Sequence, residues 1–136
     1  MNLRRGLLMA LTLSVAATAL TCKDSTSDDS DPVAGWLAIE MTPPNGDDGG
    51  IMFIVTGGTV DSVRSSHPNV LSRTESATSM RVVVAGNLTA GKIAEIWVPD
   101  TRRVAEYSAT PVETASRGTF AQRATTGYTL KLSRGQ

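Results

Sequence analysis

The sequence predicts an all-β domain: an antiparallel β-sandwich of eight or nine strands, jelly-roll or immunoglobulin-like in layout. Three observations predict it. Turn residues recur about every 8–12 positions beyond residue 32, and the runs between them alternate apolar and polar with period two. Past the N-terminal apolar segment, no amphipathic helical period of useful length occurs. Two stacked antiparallel sheets bury such half-apolar strands most simply, with a closed barrel as the alternative.

The elements follow in order. Trp36 to Met41 alternates, with Leu37, Ile39 and Met41 on one face and Ala38 and Glu40 on the other. The run from Pro43 to Gly50 is rich in Pro, Asn, Asp and Gly and predicts a loop. Ile51 to Val55 is continuously apolar, which suits a central strand buried on both faces, and Gly57-Gly58 ends it. Weaker strands at Thr59–Ser65 and Val70–Arg73 flank a turn at Ser65–Pro68. Arg81 to Ala85 is a Val-rich strand closed by Gly86-Asn87. Lys92 to Val98 alternates again, which places Ala94, Ile96 and Val98 inward and Ile93, Glu95 and Trp97 outward. Val104–Ala109, Val112–Arg117 and Gly127–Leu132 complete the set, with Tyr128, Leu130 and Leu132 facing inward, and Thr119–Ala124 can form one short turn.

The chain divides into three parts. Arg4 and Arg5 precede an apolar run from Gly6 to Val15 and a small-residue stretch to Thr21, the layout of an export signal helix over residues 1–21. That run is shorter than the roughly 20 apolar residues needed to span a bilayer core. Residues 22–33 read as a flexible acidic and Ser-rich tether, since Lys23 to Asp31 holds four Asp and four Ser or Thr without a large apolar side chain. Residues 34–136 form the sandwich, enough for one domain and too few for two.

Charge excludes some partners. Without Arg4 and Arg5, eleven of the thirteen basic residues remain against thirteen acidic ones, a net of −2. No basic stripe with interleaved aromatics appears, which argues against nucleic acid. With a single cysteine no internal disulfide can form, so core burial alone holds the domain.

Two resemblances bear on function. Ala19-Leu20-Thr21-Cys22 resembles the lipobox of bacterial lipoproteins, although Ala19 and Thr21 depart from the usual Leu and Gly or Ala. The resemblance implies acylation of Cys22 and a membrane held through its lipid. Lys23 in place of Asp after the cysteine implies the outer membrane in a cell with two. The rival is cleavage after Ala17-Thr18-Ala19, which would release a soluble periplasmic or secreted protein. Over about residues 35–133, the succession Gly50–Val55, Val60–Val63, Met80–Gly86 and Gly91–Val98 resembles cohesin-type domains and related carbohydrate-binding sandwiches. That implies a jelly-roll that holds a protein module or a glycan.

Candidate site residues are few. Trp97, with Ile93 and Glu95 beside it, would offer a flat aromatic on an open sheet face, able to stack on a sugar or anchor a partner. Against this stands Trp97 as core, should both faces be covered; Trp36 reads as a lid over one end. Asp47 and Asp48 in the Gly-rich loop can supply oxygens to Ca²⁺, though their spacing matches no EF-hand and a solvated loop is the plainer reading. His67, the lone histidine, precedes Pro68 in a polar turn, and a Ser-His-Asp arrangement would need it beside Asp61 and a serine. Glu40 and Glu95 invite comparison with paired glycosidase carboxylates, yet outward strand Glu is the ordinary case. Asn87-Leu88-Thr89 matches the glycosylation sequon and Arg102-Arg103 is a basic turn; neither points to a function. The expectation is a lipid-anchored, non-enzymatic binding module of the cell envelope, without a cofactor, for a protein or polysaccharide. The alternatives are an assembly component that pairs through an edge strand and a small hydrolase.

Overall fold

Nine strands and one 3-10 helix build the fold among residues 31–135, which the computed structural model describes. The strands are β1 (Gly35–Thr42), β2 (Asp48–Thr56), β3 (Ser62–Arg64), β4 (Asn69–Ser76), β5 (Ser79–Leu88), β6 (Gly91–Val98), β7 (Ser108–Ser116), β8 (Gln122–Arg123) and β9 (Thr129–Arg134). The 3-10 helix, Thr101–Glu106, joins β6 to β7. One sheet has the order β3-β6-β1-β9 and the other β4-β5-β2-β7-β8, and every neighbouring pair is antiparallel. This is the antiparallel sandwich that the alternation predicts. Cys22, the signal segment and nearly all of the tether lie outside the described residues.

The core lies between the two inner faces. Leu37, Ile39 and Met41 of β1 meet Ile51, Phe53 and Val55 of β2, Val82 and Val84 of β5, and Ile96 and Val98 of β6. Each fully buried Val, Leu, Ile or Phe contributes about 1.5–3 kcal/mol, and no crosslink supplements them. Tyr107 and Tyr128 close the ends with rings inward and hydroxyls bonded: Tyr107 donates to the Thr59 carbonyl at 2.9 Å, and Tyr128 donates to Asp48. Leu130 and Leu132 pack on the same core, as expected for the last strand.

Several elements depart from the simple alternation, each for a physical reason. Ile51–Val55 is central in its sheet but buried on one face only, so Met52 and Ile54 stand half-exposed on the outer side. Of Val104–Ala109 only Ser108 and Ala109 are strand, the start of β7. Asp100 caps a 3-10 turn by accepting from the Arg102 N–H at 3.1 Å, which draws Val104 into the helix. The two strands expected around Pro111 are one, β7, because a bulge at Val112 absorbs the proline where β8 does not reach. Thr59–Ser65 keeps only three strand residues, and β5 runs on through Gly86 to Leu88. Thr119–Ala124 holds β8 in addition to a turn.

The most consequential departure is in β6. Against β1, Ile39 pairs with Ala94 and Glu40 with Lys92, which leaves Ile93 as an extra residue in a bulge. Ile93 and Ala94 therefore both point into the core, each 1% exposed. The expected outward face of Ile93, Glu95 and Trp97 is corrected: Ile93 is core, and Lys92 takes the outward position instead.

Candidate functional site

The outer face of the four-stranded sheet collects the chain's two tryptophans and a cluster of charges. Register brings them together. Trp36 lies directly opposite Trp97, and Ala38 opposite Glu95 and Ser133. On the far side of β6, Ser62 faces Trp97 and Arg64 faces Glu95. The indoles meet edge to face, with centroids 5.2 Å apart and planes at 73°. The Arg64 guanidinium reaches across β6 and sits 4.0 Å from the centroid of the Trp36 ring.

Glu95 anchors the charged half. Its carboxylate accepts from Arg64 Nε at 2.7 Å, and Lys92 Nζ lies 3.4 Å from its other oxygen. In a regular strand, residues three apart face opposite ways; the bulge at Ile93 puts Lys92 and Glu95 on the same side. The Arg64 hydrogen bond, and then the nearby Lys92 charge, hold the Glu95 carboxyl below its ordinary range despite partial burial. A carboxyl so held is a poor general acid, since glycoside hydrolysis needs one raised toward neutrality.

One register row on from the indoles, at Ala38, Glu95 and Ser133, the same strands line a hollow of about 340 Å³. Ala38, Ser133 and Gly135 are its small lining residues, and two acids, Glu40 and Glu95, and two bases, Lys92 and Arg134, line the rest. The small residues create the depression, while the rim offers both donors and acceptors. Trp36 and Trp97 are half-buried, which leaves part of each indole on the surface. Trp36 is thus part of this face as well as an end of β1.

The other predicted residues fall elsewhere. Asp47 and Asp48 lie at the start of β2 and share one cation. Arg123 binds Asp47 through two bonds of 2.7 Å and approaches Asp48 Oδ1 at 3.3 Å. This hydrogen-bonded guanidinium holds the Asp47 carboxyl below its usual range and pushes Arg123 up. Asp48 is buried, and its Oδ1 also accepts from the Tyr128 hydroxyl, which in turn accepts from Asn45 Nδ2 at 3.0 Å. The positive charge that calcium would bring is supplied by Arg123. Among the described residues, no cluster of three or more His, Cys, Asp or Glu has metal-holding geometry.

His67 lies in the β3–β4 turn, packed near Gly86, with its backbone N–H donating to Ser65 Oγ at 3.0 Å. That same Ser65 hydroxyl donates to the Ile93 carbonyl at 2.6 Å, so it serves the turn rather than a nucleophilic role. Asp61 is bonded through its backbone to Trp97.

Of the predicted site, Trp97 and Glu95 come together and Ile93 leaves. Arg64, Lys92, Trp36 and Ser133 join from four strands. Only Lys92 had a local signal, its charge three residues before Glu95; the rest converge through pairings too distant to read from spacing. Comparison with known families, curated proteins and solved structures finds no match to this chain.

Proposed function

We propose that the protein is a non-enzymatic binding module of the cell envelope, lipid-anchored through Cys22, that engages a glycan on the outer face of the four-stranded sheet. One observation carries the reading: a tryptophan pair lies one register row from a polar hollow lined by both donors and acceptors, on the same sheet face. Sugars present a C–H face that stacks on indole and a hydroxyl rim that needs both kinds of partner. The balanced charges of Glu40, Glu95, Lys92 and Arg134 suit a neutral glycan better than a polyanion. The lipobox resemblance and Lys23 after the cysteine support an outer-membrane surface for such a module, with a soluble periplasmic or secreted protein as the alternative.

The test is a glycan array probed with the full chain and with Trp97→Ala. Retention of a neutral saccharide by the native chain, with at least tenfold loss in the variant, supports the reading. Equal binding by both chains moves the site off this face. Conversion of Cys22 to Ser should abolish incorporation of labelled fatty acid, and an unlabelled native chain would remove the anchor from the proposal.

A second reading has its own observation. β4 is an eight-residue edge strand that is exposed along most of its length, and its Leu71 is 72% exposed. Such an edge can pair with another chain in an assembly, although the bulge at Glu75 and the charges of Arg73 and Glu75 blunt it. Concentration-dependent sedimentation that Leu71→Lys abolishes would favour this role.

A further inference from the structure

The opposite sheet carries a second hollow, of about 280 Å³, that the glycan-binding proposal does not use. It lies on the outer face of β2, β5 and β7. Register aligns Val83, Met52 and Glu113 across the three strands and sets Gly50 beside Ala115 in the next row. Phe120, from the β7–β8 turn, completes the lining.

Two features of this hollow add little to the packing of the fold. Phe120 has φ +53, the left-handed region that a bulky aromatic rarely adopts, yet its ring is 67% exposed and so gains little from packing. The turn enforces this. Phe120 N–H donates to the Ser116 carbonyl at 3.1 Å, Ala121 N–H to Ser116 Oγ at 3.1 Å, and Ser116 N–H to the Ala121 carbonyl at 2.9 Å. The second feature is Gly50, in the middle of a sheet where glycine weakens the strand. Its backbone does not require glycine: an added Cβ would find its nearest atoms at 3.8 and 4.0 Å, which is ordinary contact. The missing side chain instead deepens the hollow.

Charge says what would enter. Glu113 is the only charged residue of the lining, and it makes no ion pair among the described residues. The other walls are apolar side chains and small residues, with the Gln122 amide as the other large polar group. We propose that this hollow docks a peptide segment of a partner protein, an aromatic or long aliphatic side chain set against Phe120 and Met52 with a neighbouring Lys or Arg paired to Glu113. Together with the glycan face, the module would then connect a polysaccharide to a protein from opposite sides of one sandwich.

The probes are acetyl-Phe-Lys-amide, its charge-reversed counterpart acetyl-Phe-Glu-amide, and cellobiose, each titrated at millimolar concentration into the ¹⁵N-labelled full chain. The lysine peptide should move the amide signals of Gly50, Ala115 and Phe120, and the glutamate peptide should bind at least tenfold more weakly. Gly50→Val should remove the response while the melting temperature holds or rises, so that the loss is not unfolding. Trp97→Ala should leave it unchanged, which separates this site from the glycan face. Equal response to both peptides, a response that survives Gly50→Val, shifts of the Gly50, Ala115 and Phe120 signals by cellobiose, or no shift of these signals with either peptide would each overturn the proposal.

Discussion

Gly49 and Gly50 are neighbours in β2, and the structure gives them opposite responses to the same methyl group. At Gly49 an added Cβ would stand 2.7 Å from Arg117 Cα, 2.8 Å from the Ser116 carbonyl oxygen and 2.9 Å from Arg117 N. All three are backbone atoms at the end of β7, so no rotamer change relieves the contact. Gly49 is the extra residue where β2 slips against β7, while on the β5 side Gly86 and Asn87 stand opposite it, so the end of β7 would have to move away. Overpacking of this kind costs about 1–3 kcal/mol. Gly50→Ala instead meets only ordinary contacts and loses fewer unfolded conformations, which stabilises by about 0.4–1 kcal/mol. For a domain of this size each kcal/mol is worth about 4–8 °C in Tm. Gly49→Ala should therefore melt about 5–20 °C lower and Gly50→Ala about 2–8 °C higher, read by circular dichroism with urea midpoints as a check. If Gly50→Ala loses stability on the scale of Gly49→Ala, the space above Gly50 is not free. The argument that its missing side chain serves a ligand would fall with it.

Other outcomes are expected. Tyr128→Phe removes the hydroxyl that donates to buried Asp48, and should cost about 1–3 kcal/mol by urea denaturation. Ile93→Ala opens space in the core beneath the bulge and should cost about 2–5 kcal/mol, where an outward Ile93 would cost almost nothing. Asp100 is held down to about 2 by hydrogen bonds from the Arg102 side chain, then from the backbone N–H groups of Arg102 and Val33. Its folded pKa lies below the unfolded one. The stability it adds is therefore present above about pH 4 and fades as pH falls toward 2. Asp100→Asn should flatten that part of the Tm–pH curve, and an unchanged slope would refute the assignment.

The strands with strong alternation were legible: β1, β5 and β9 show inward the side chains that their pattern predicts. What the pattern could not carry was phase. The extra residues at Gly49, Glu75, Ile93 and Val112 each interrupt period two without a turn residue to announce them, apart from the glycine. Val104 and Tyr107 have good β propensity, yet one carboxylate cap turned the preceding residues into a 3-10 helix. Trp97 and Glu95 were visible as outward residues, but Arg64 and Trp36 reach them across 31 and more positions of sequence. Phe120 gave no signal at all, because an aromatic at positive φ is set by the hydrogen bonds of its turn and not by its own preference.

The bulge in β6 also bears on insertions and deletions. Removing one residue from a regular strand turns everything beyond the gap to the wrong face of the sheet. Here the chain already contains the odd residue, so removing Ile93 leaves Ala94 alone between Lys92 and Glu95, the spacing of a regular strand. The shortened strand would keep both charges outward and Ala94 inward, and would lose only the packing of one side chain. At this position deletion should therefore preserve the tryptophan face, whereas a one-residue deletion at Ile96 should turn one side of the strand over and destroy it.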